Sequence, residues 1–147
     1  MLLAAALAGG VALTAAAPLP LDLPAAAGWA IVAAAVGLDV WAVATLHRAR
    51  TTVLPHRPAA RLVRSGPFAF SRNPIYVGNT LALVGLAVAL GSAWFAILAV
   101  PMVALLRHLA VLPEERHLAA AFGADWDAYA ARTPRWIGLR RSPRSSA

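Results

Sequence analysis

Arg72, Glu114 and Glu115 are the charged residues of this chain whose placement invites chemistry. Arg72 stands in Ser71-Arg72-Asn73-Pro74-Ile75-Tyr76, directly before a long apolar stretch. Asn-Pro suits the start of a helix, with Asn73 capping it and Pro74 in the first turn, where its missing N–H costs nothing. That start leaves Arg72 at the membrane surface and Tyr76 in the first helical turn. Glu114 and Glu115 follow Pro113 just after another apolar stretch. Carboxylates in a first turn favour the helix dipole, and such acids are commonplace. Adjacent carboxylates where a helix leaves a membrane are less so, and they suit a cationic ligand.

The rest of the composition says where such a site must sit. Of 147 residues, 61% are hydrophobic and 13% charged, and the mean hydropathy is +0.69. A soluble domain of this size does not need so much apolar surface, so an integral membrane protein is expected. All thirteen basic residues are Arg, none before Arg48, whereas the first 46 residues carry only Asp22 and Asp39. The net charge of +7 fits loops flanking membrane helices, not nucleic-acid binding. There is no cysteine, which excludes disulfides, thiolate zinc sites and a cysteine nucleophile. No metal site is expected.

Four stretches approach the roughly 20 apolar residues that a crossing needs. They are Met1–Ala17, Ala25–Leu46, Pro74–Leu90 and Ser92–Leu112. The expected fold is therefore an all-α membrane bundle, with the third and fourth helices as a hairpin and short C-terminal helices beyond. The 47–72 loop holds six Arg and no acid, and the chain from Arg107 onward holds the other seven. Both termini inside would place every Arg on the cytoplasmic face. A bacterial inner membrane suits the composition. A second reading of Met1–Ala17 is a signal-peptide core before the small residues Thr-Ala-Ala-Ala, although the positive n-region is missing. Residues 1–137 read as a single domain, and 138–147 as a polar, basic, disordered tail.

Several other polar residues qualify the picture. Asp39 lies well inside the second stretch, where an ionisable group costs about 3 kcal/mol and is usually functional or paired. Asn79 and Thr80 suit helix–helix hydrogen bonds. Leu118 and Phe122 continue a helix after Pro113, and Gly123 stops it. Asp125-Trp126-Asp127-Ala128-Tyr129 begins a last helix that ends near Thr133-Pro134. The 47–72 loop, broken by three prolines and Gly66, either lies on an anionic surface or folds back through Leu62, Val63, Phe68 and Phe70.

Leu62-Val63-Arg64-Ser65-Gly66-Pro67-Phe68, followed by Ser71-Arg72-Asn73-Pro74-Ile75-Tyr76-Val77-Gly78, resembles the first signature of a methyltransferase superfamily. Its members are the isoprenylcysteine carboxyl methyltransferases and the phospholipid methyltransferases. Pro113-Glu114-Glu115-Arg116-His117-Leu118, with Phe122-Gly123 and Tyr129, resembles the second signature. The likeness runs from Thr51 to Ile137. Many members carry His where Asn73 stands; asparagine keeps the capping role and supplies no imidazole.

The resemblance implies a site for S-adenosylmethionine on the cytoplasmic side. Arg72, Asn73, Pro74, Tyr76 and Gly78 would form one wall, and Glu114 and Glu115 the other. The residue chemistry agrees. Carboxylates suit the ammonium and sulfonium of that cofactor, and Arg72 its carboxylate. Tyr76 offers a ring to adenine or the sulfonium, and Gly78 permits close approach. Holding donor and acceptor in line can lower the barrier by several kcal/mol. A base is needed only if the acceptor must lose a proton, and Asp39, His108 and His117 are the weak candidates. The acceptor is expected to be a lipid or another lipophilic molecule. The alternatives are a lipid- or partner-binding protein of the same fold and a reductase-like relative.

Overall fold

The computed structural model describes residues 1–50 and 61–138. The middle of the 47–72 loop and nearly all of the polar tail, both read above from sequence, lie outside the described residues. Helices α1 (Leu2–Ala16), α2 (Ala25–Arg48), α3 (Pro74–Ala89), α4 (Ala93–Leu106), α5 (Leu112–Phe122) and α6 (Ala124–Arg132) make up the fold, with a 3₁₀ turn at Gly66–Ala69. No β-strand occurs among the described residues, where the pairing of Pro20 with Ser92 is an isolated bridge. The protein is all-α, as its composition and periodicity lead one to expect.

Among the described residues two helical runs are long and apolar enough to cross a membrane: Ala25–Arg48, and Ala93–Phe122, which joins α4 and α5 into 30 residues. Helices α1 and α3 have 15 and 16 residues, short of the roughly 20 that a crossing takes. Pro113 lies in the first turn of α5, as its sequence position leads one to expect. No break precedes it, because the chain stays helical through Arg107–Val111, which widens into a π turn. Proline lacks the N–H for an i−4 bond, and its ring collides with the i−4 carbonyl, here that of Leu109. A π turn just before it accommodates both defects without ending the helix.

The chain divides into two compact units. The first contains Met1–Gly37 and Tyr76–His108. Its core gathers Ala6 of α1, Leu83 and Ala87 of α3, and Phe95, Ala99, Met102 and Leu106 of α4. Small residues let these helices approach. A Cβ on Gly28 would fall 2.1 Å from the Ala89 nitrogen and 2.7 Å from the Gly85 carbonyl oxygen, so α2 and α3 meet backbone to backbone. At one end of the unit, the 17–21 connection pairs with the turn before α4. Leu21 N donates to the Gly91 carbonyl at 2.8 Å and Ala93 N to the Leu19 carbonyl at 3.0 Å. Trp94 Nε1 donates to the Ala17 carbonyl at 2.6 Å, and the hydroxyls of Thr14 and Ser92 share a hydrogen bond. Thr80 differs from expectation: its hydroxyl bonds the Tyr76 carbonyl of its own helix, at 2.8 Å. This i−4 bond satisfies a hydroxyl in an apolar helix without a neighbour.

The second unit holds the described residues of 38–75 and those from Leu109 onward. Gly66 begins its 3₁₀ turn with φ +60°, and a Cβ there would meet Thr45 Oγ1 of α2 at 2.9 Å. Glycine is therefore required twice over, by conformation and by space.

Candidate functional site

Within the second unit the first signature, up to Ile75, meets the second, and side chains join them at several points. Tyr129 of α6 donates its hydroxyl to the Phe68 carbonyl at 2.8 Å. Its ring stands edge-on to Trp126, centroids 5.8 Å apart. Both aromatic residues are buried, and burial raises the Tyr129 pKa above its ordinary value. An exposed ion pair, Arg64 with Asp125 at 3.3 Å, adds a further contact. Solvent screening leaves such a pair worth little.

At the centre lies a three-residue charge cluster. Arg72 Nη1 forms an ion pair with Glu115 Oε1 at 3.1 Å. Arg135 grips the same carboxylate with two nitrogens: Nε lies 3.0 and 3.1 Å from its oxygens, and Nη2 lies 2.7 Å from Oε2. The Arg72 and Glu115 side chains are only 13% and 12% exposed. The Arg72 guanidinium also stands 5.5 Å from the Trp126 ring centroid, a cation–π distance. Its Nε is buried and without a hydrogen-bond partner. Burial lowers the Arg72 pKa, Glu115 opposes that shift and Arg135 adds to it. The Arg135 pKa instead rises, chiefly through its hydrogen bonds to Glu115.

The backbone before α3 is tied to the chain after α6. Arg72 N donates to the Pro134 carbonyl at 3.0 Å. The Arg135 carbonyl accepts from Asn73 Nδ2 at 3.1 Å and from Ser71 Oγ at 3.4 Å. Asn73 N in turn donates to Ser71 Oγ at 3.0 Å. Ser71 and Asn73 are buried, so these bonds satisfy side-chain groups largely withdrawn from water. The Asn73 amide thus tethers the signature to residue 135, a function not anticipated from its capping propensity.

The residues singled out from sequence are therefore partly assembled. Arg72, Asn73, Pro74, Glu114 and Glu115 lie in the second unit, whereas Tyr76 and Gly78 belong to the first. Glu114 is exposed and forms no ion pair among the described residues, in contrast to Glu115. His108 and His117 are exposed, His108 in the first unit and His117 in the second. Asp39 lies in α2 with its Oδ1 buried and unpartnered. It follows the wholly buried Ala35 by four residues and precedes the wholly buried Ala42 by three, which puts it on the protein-facing side of its helix. Arg135 and Trp126 were missed by motif reading. The sequence marks Arg135 only by its place after Pro134 in the arginine-rich chain beyond Arg107.

The phospholipid methyltransferase family pattern matches residues 23–125, well over half of the chain. The chain belongs to that family. The family is one of methyltransferases by its description. The chain is also 36% identical over 78 residues to the nickel-cobalt-cadmium resistance protein NccN of Alcaligenes xylosoxydans xylosoxydans. That similarity covers 53% of this chain and 36% of NccN, about a third of the relative's length. No solved structure matches the chain.

Proposed function

We propose that this phospholipid methyltransferase family member transfers a methyl group from S-adenosylmethionine to a lipophilic acceptor at the cytoplasmic face of a bacterial inner membrane. In this reading residues 1–137 act as one domain of four spans, α1 and α3 included, with both termini in the cytoplasm and 138–147 as an appended tail. The observation that supports it best is the Arg72–Glu115–Arg135 cluster, in which both signatures contribute charge to one place.

The residues present fit the charged end of the cofactor. The buried Arg72 Nε lacks an acceptor, and a carboxylate is the group that a guanidinium pairs with best. Glu114 forms no ion pair among the described residues and can meet an ammonium, which would offset the rise in its pKa caused by burial and by the adjoining Glu115 carboxylate. Glu115 acts by holding Arg72 in place, while Asn73 and Pro74 fix the backbone on which Arg72 stands. Tyr76 and Gly78 enter the proposal on the resemblance of their signature alone. When bound, S-adenosylmethionine would supply a methyl group already activated by its sulfonium. The protein's task is then orientation and exclusion of water, which needs no strong acid or base. Asp39 and the two exposed histidines, His108 and His117, are the residues to examine if the acceptor must lose a proton.

Transfer can be followed directly. The detergent-purified protein, given methyl-tritiated S-adenosylmethionine and a bacterial total lipid extract, should move label into the organic phase. S-adenosylhomocysteine should suppress that transfer. Retained binding of S-adenosylhomocysteine with no label in any lipid fraction would favour a lipid- or partner-binding protein instead.

A further inference from the structure

Glu115 offers one negative charge to two arginines, and it does not divide that charge evenly. Arg135 takes both carboxylate oxygens, at 2.7 to 3.1 Å, whereas Arg72 reaches Oε1 alone, at 3.1 Å. A forked guanidinium–carboxylate pair is the stronger arrangement, because two aligned bonds form where a single contact gives one. The opposite pKa directions of the two arginines agree with that division. Arg72 is consequently a buried cation with incomplete compensation and an unused N–H. The Arg135 backbone carbonyl is also the acceptor for Asn73 and Ser71, so the residue that occupies Glu115 also pins the backbone on either side of Arg72.

We infer that Arg135 is a positioning residue that occupies the Glu115 carboxylate and so reserves Arg72 for the carboxylate of the methyl donor's amino-acid end. The inference rests on the proposed function and adds to it a residue ten positions beyond the family match, which ends at 125. Without the Arg135 guanidinium, Glu115 would turn both oxygens to Arg72. The pair would neutralise itself, and the site would lose its preference for an anionic group. The backbone carbonyl at 135 would persist in any side-chain variant, so the effect belongs to the guanidinium.

The test compares S-adenosylmethionine with its decarboxylated form, which differs only in lacking the carboxylate. Equilibrium binding of both is measured on the detergent-purified full chain and on Arg135→Ala and Arg135→Gln, the latter keeping size and polarity. The wild type should prefer the intact donor by roughly tenfold or more, the range expected of a charge-assisted hydrogen bond. Both variants should lose most of that preference while binding the decarboxylated form nearly as before. If Arg135→Ala fails to fold, Arg135→Gln decides. A wild type that binds both compounds equally overturns the inference, as does a preference that survives in the variants. Equal loss of both compounds in a folded variant overturns it too, since a merely structural role would do that. A wild type that binds neither compound overturns the proposed function itself.

Discussion

Replacing Glu115 with alanine should destabilise the protein by on the order of 3 kcal/mol and abolish binding of the methyl donor. The loss is large because two cations depend on one carboxylate. Removing one partner of a buried pair leaves an uncompensated charge, a mechanism that costs about 3–5 kcal/mol in well-buried cases. Here Arg72 is 13% and Arg135 31% exposed, so the lower end of that range is appropriate. Glu115→Gln should recover part of the stability through hydrogen bonding but not donor binding, because it lacks the charge that orients Arg72. Thermal unfolding in detergent, run beside a donor titration, separates the two effects. An unfolding midpoint unchanged in Glu115→Ala would mean that the cluster contributes nothing to stability.

The second large effect is expected far from any charge. Gly28→Leu should prevent α2 from packing on α3, at a cost of about 3 kcal/mol, the upper end of the usual range for overpacking, because the clash is with backbone. A Cβ at Gly28 would approach the backbone of Ala89 at 2.1 and 2.5 Å and the Gly85 carbonyl oxygen at 2.7 Å. Backbone atoms in a helix have no rotamer with which to yield, so the helices must separate. Gly37 in the same helix is the control, since a Cβ there meets nothing within 4 Å. Gly37→Ala should be neutral or slightly stabilising. Comparing the two variants by yield of monodisperse protein and by unfolding temperature tests the claim. Equal tolerance at both positions would contradict the close α2–α3 approach.

Much of the helical framework was legible because its punctuation is local. Pro74 opens α3 and Gly91 follows its end, so the predicted 74–90 stretch agrees closely with the observed helix. Likewise Pro18 and Pro24 bound the gap between α1 and α2. The π turn before Pro113 was not legible: a proline marks a defect, but whether the chain breaks or widens depends on what its neighbours pack against. Thr80 shows the same limit, because a hydroxyl in an apolar helix has two equivalent ways to be satisfied. At the candidate site, the motif spacing picked out Arg72, Glu114 and Glu115. It did not reveal that Glu115 is already taken and Glu114 is not, since that depends on Arg135, twenty residues further along. Neither periodicity nor charge count brings residues 72, 115, 126 and 135 together. Only the tertiary bonds through Tyr129, Asn73 and the Pro134 carbonyl do so.

The central claim is that the cluster beside Glu114 holds the amino-acid end of S-adenosylmethionine. Calorimetric titration of the detergent-purified protein with S-adenosylhomocysteine, which carries the same ammonium and carboxylate, tests it most directly. Glu114→Gln should be titrated in parallel. Because Glu114 has no ion pair to break, that variant should fold like the wild type. The account predicts saturable micromolar binding to the wild type and a roughly tenfold or greater loss in Glu114→Gln, the scale of one charge-assisted hydrogen bond. A well-folded wild type that does not bind, or a Glu114→Gln variant that binds as tightly, would contradict it.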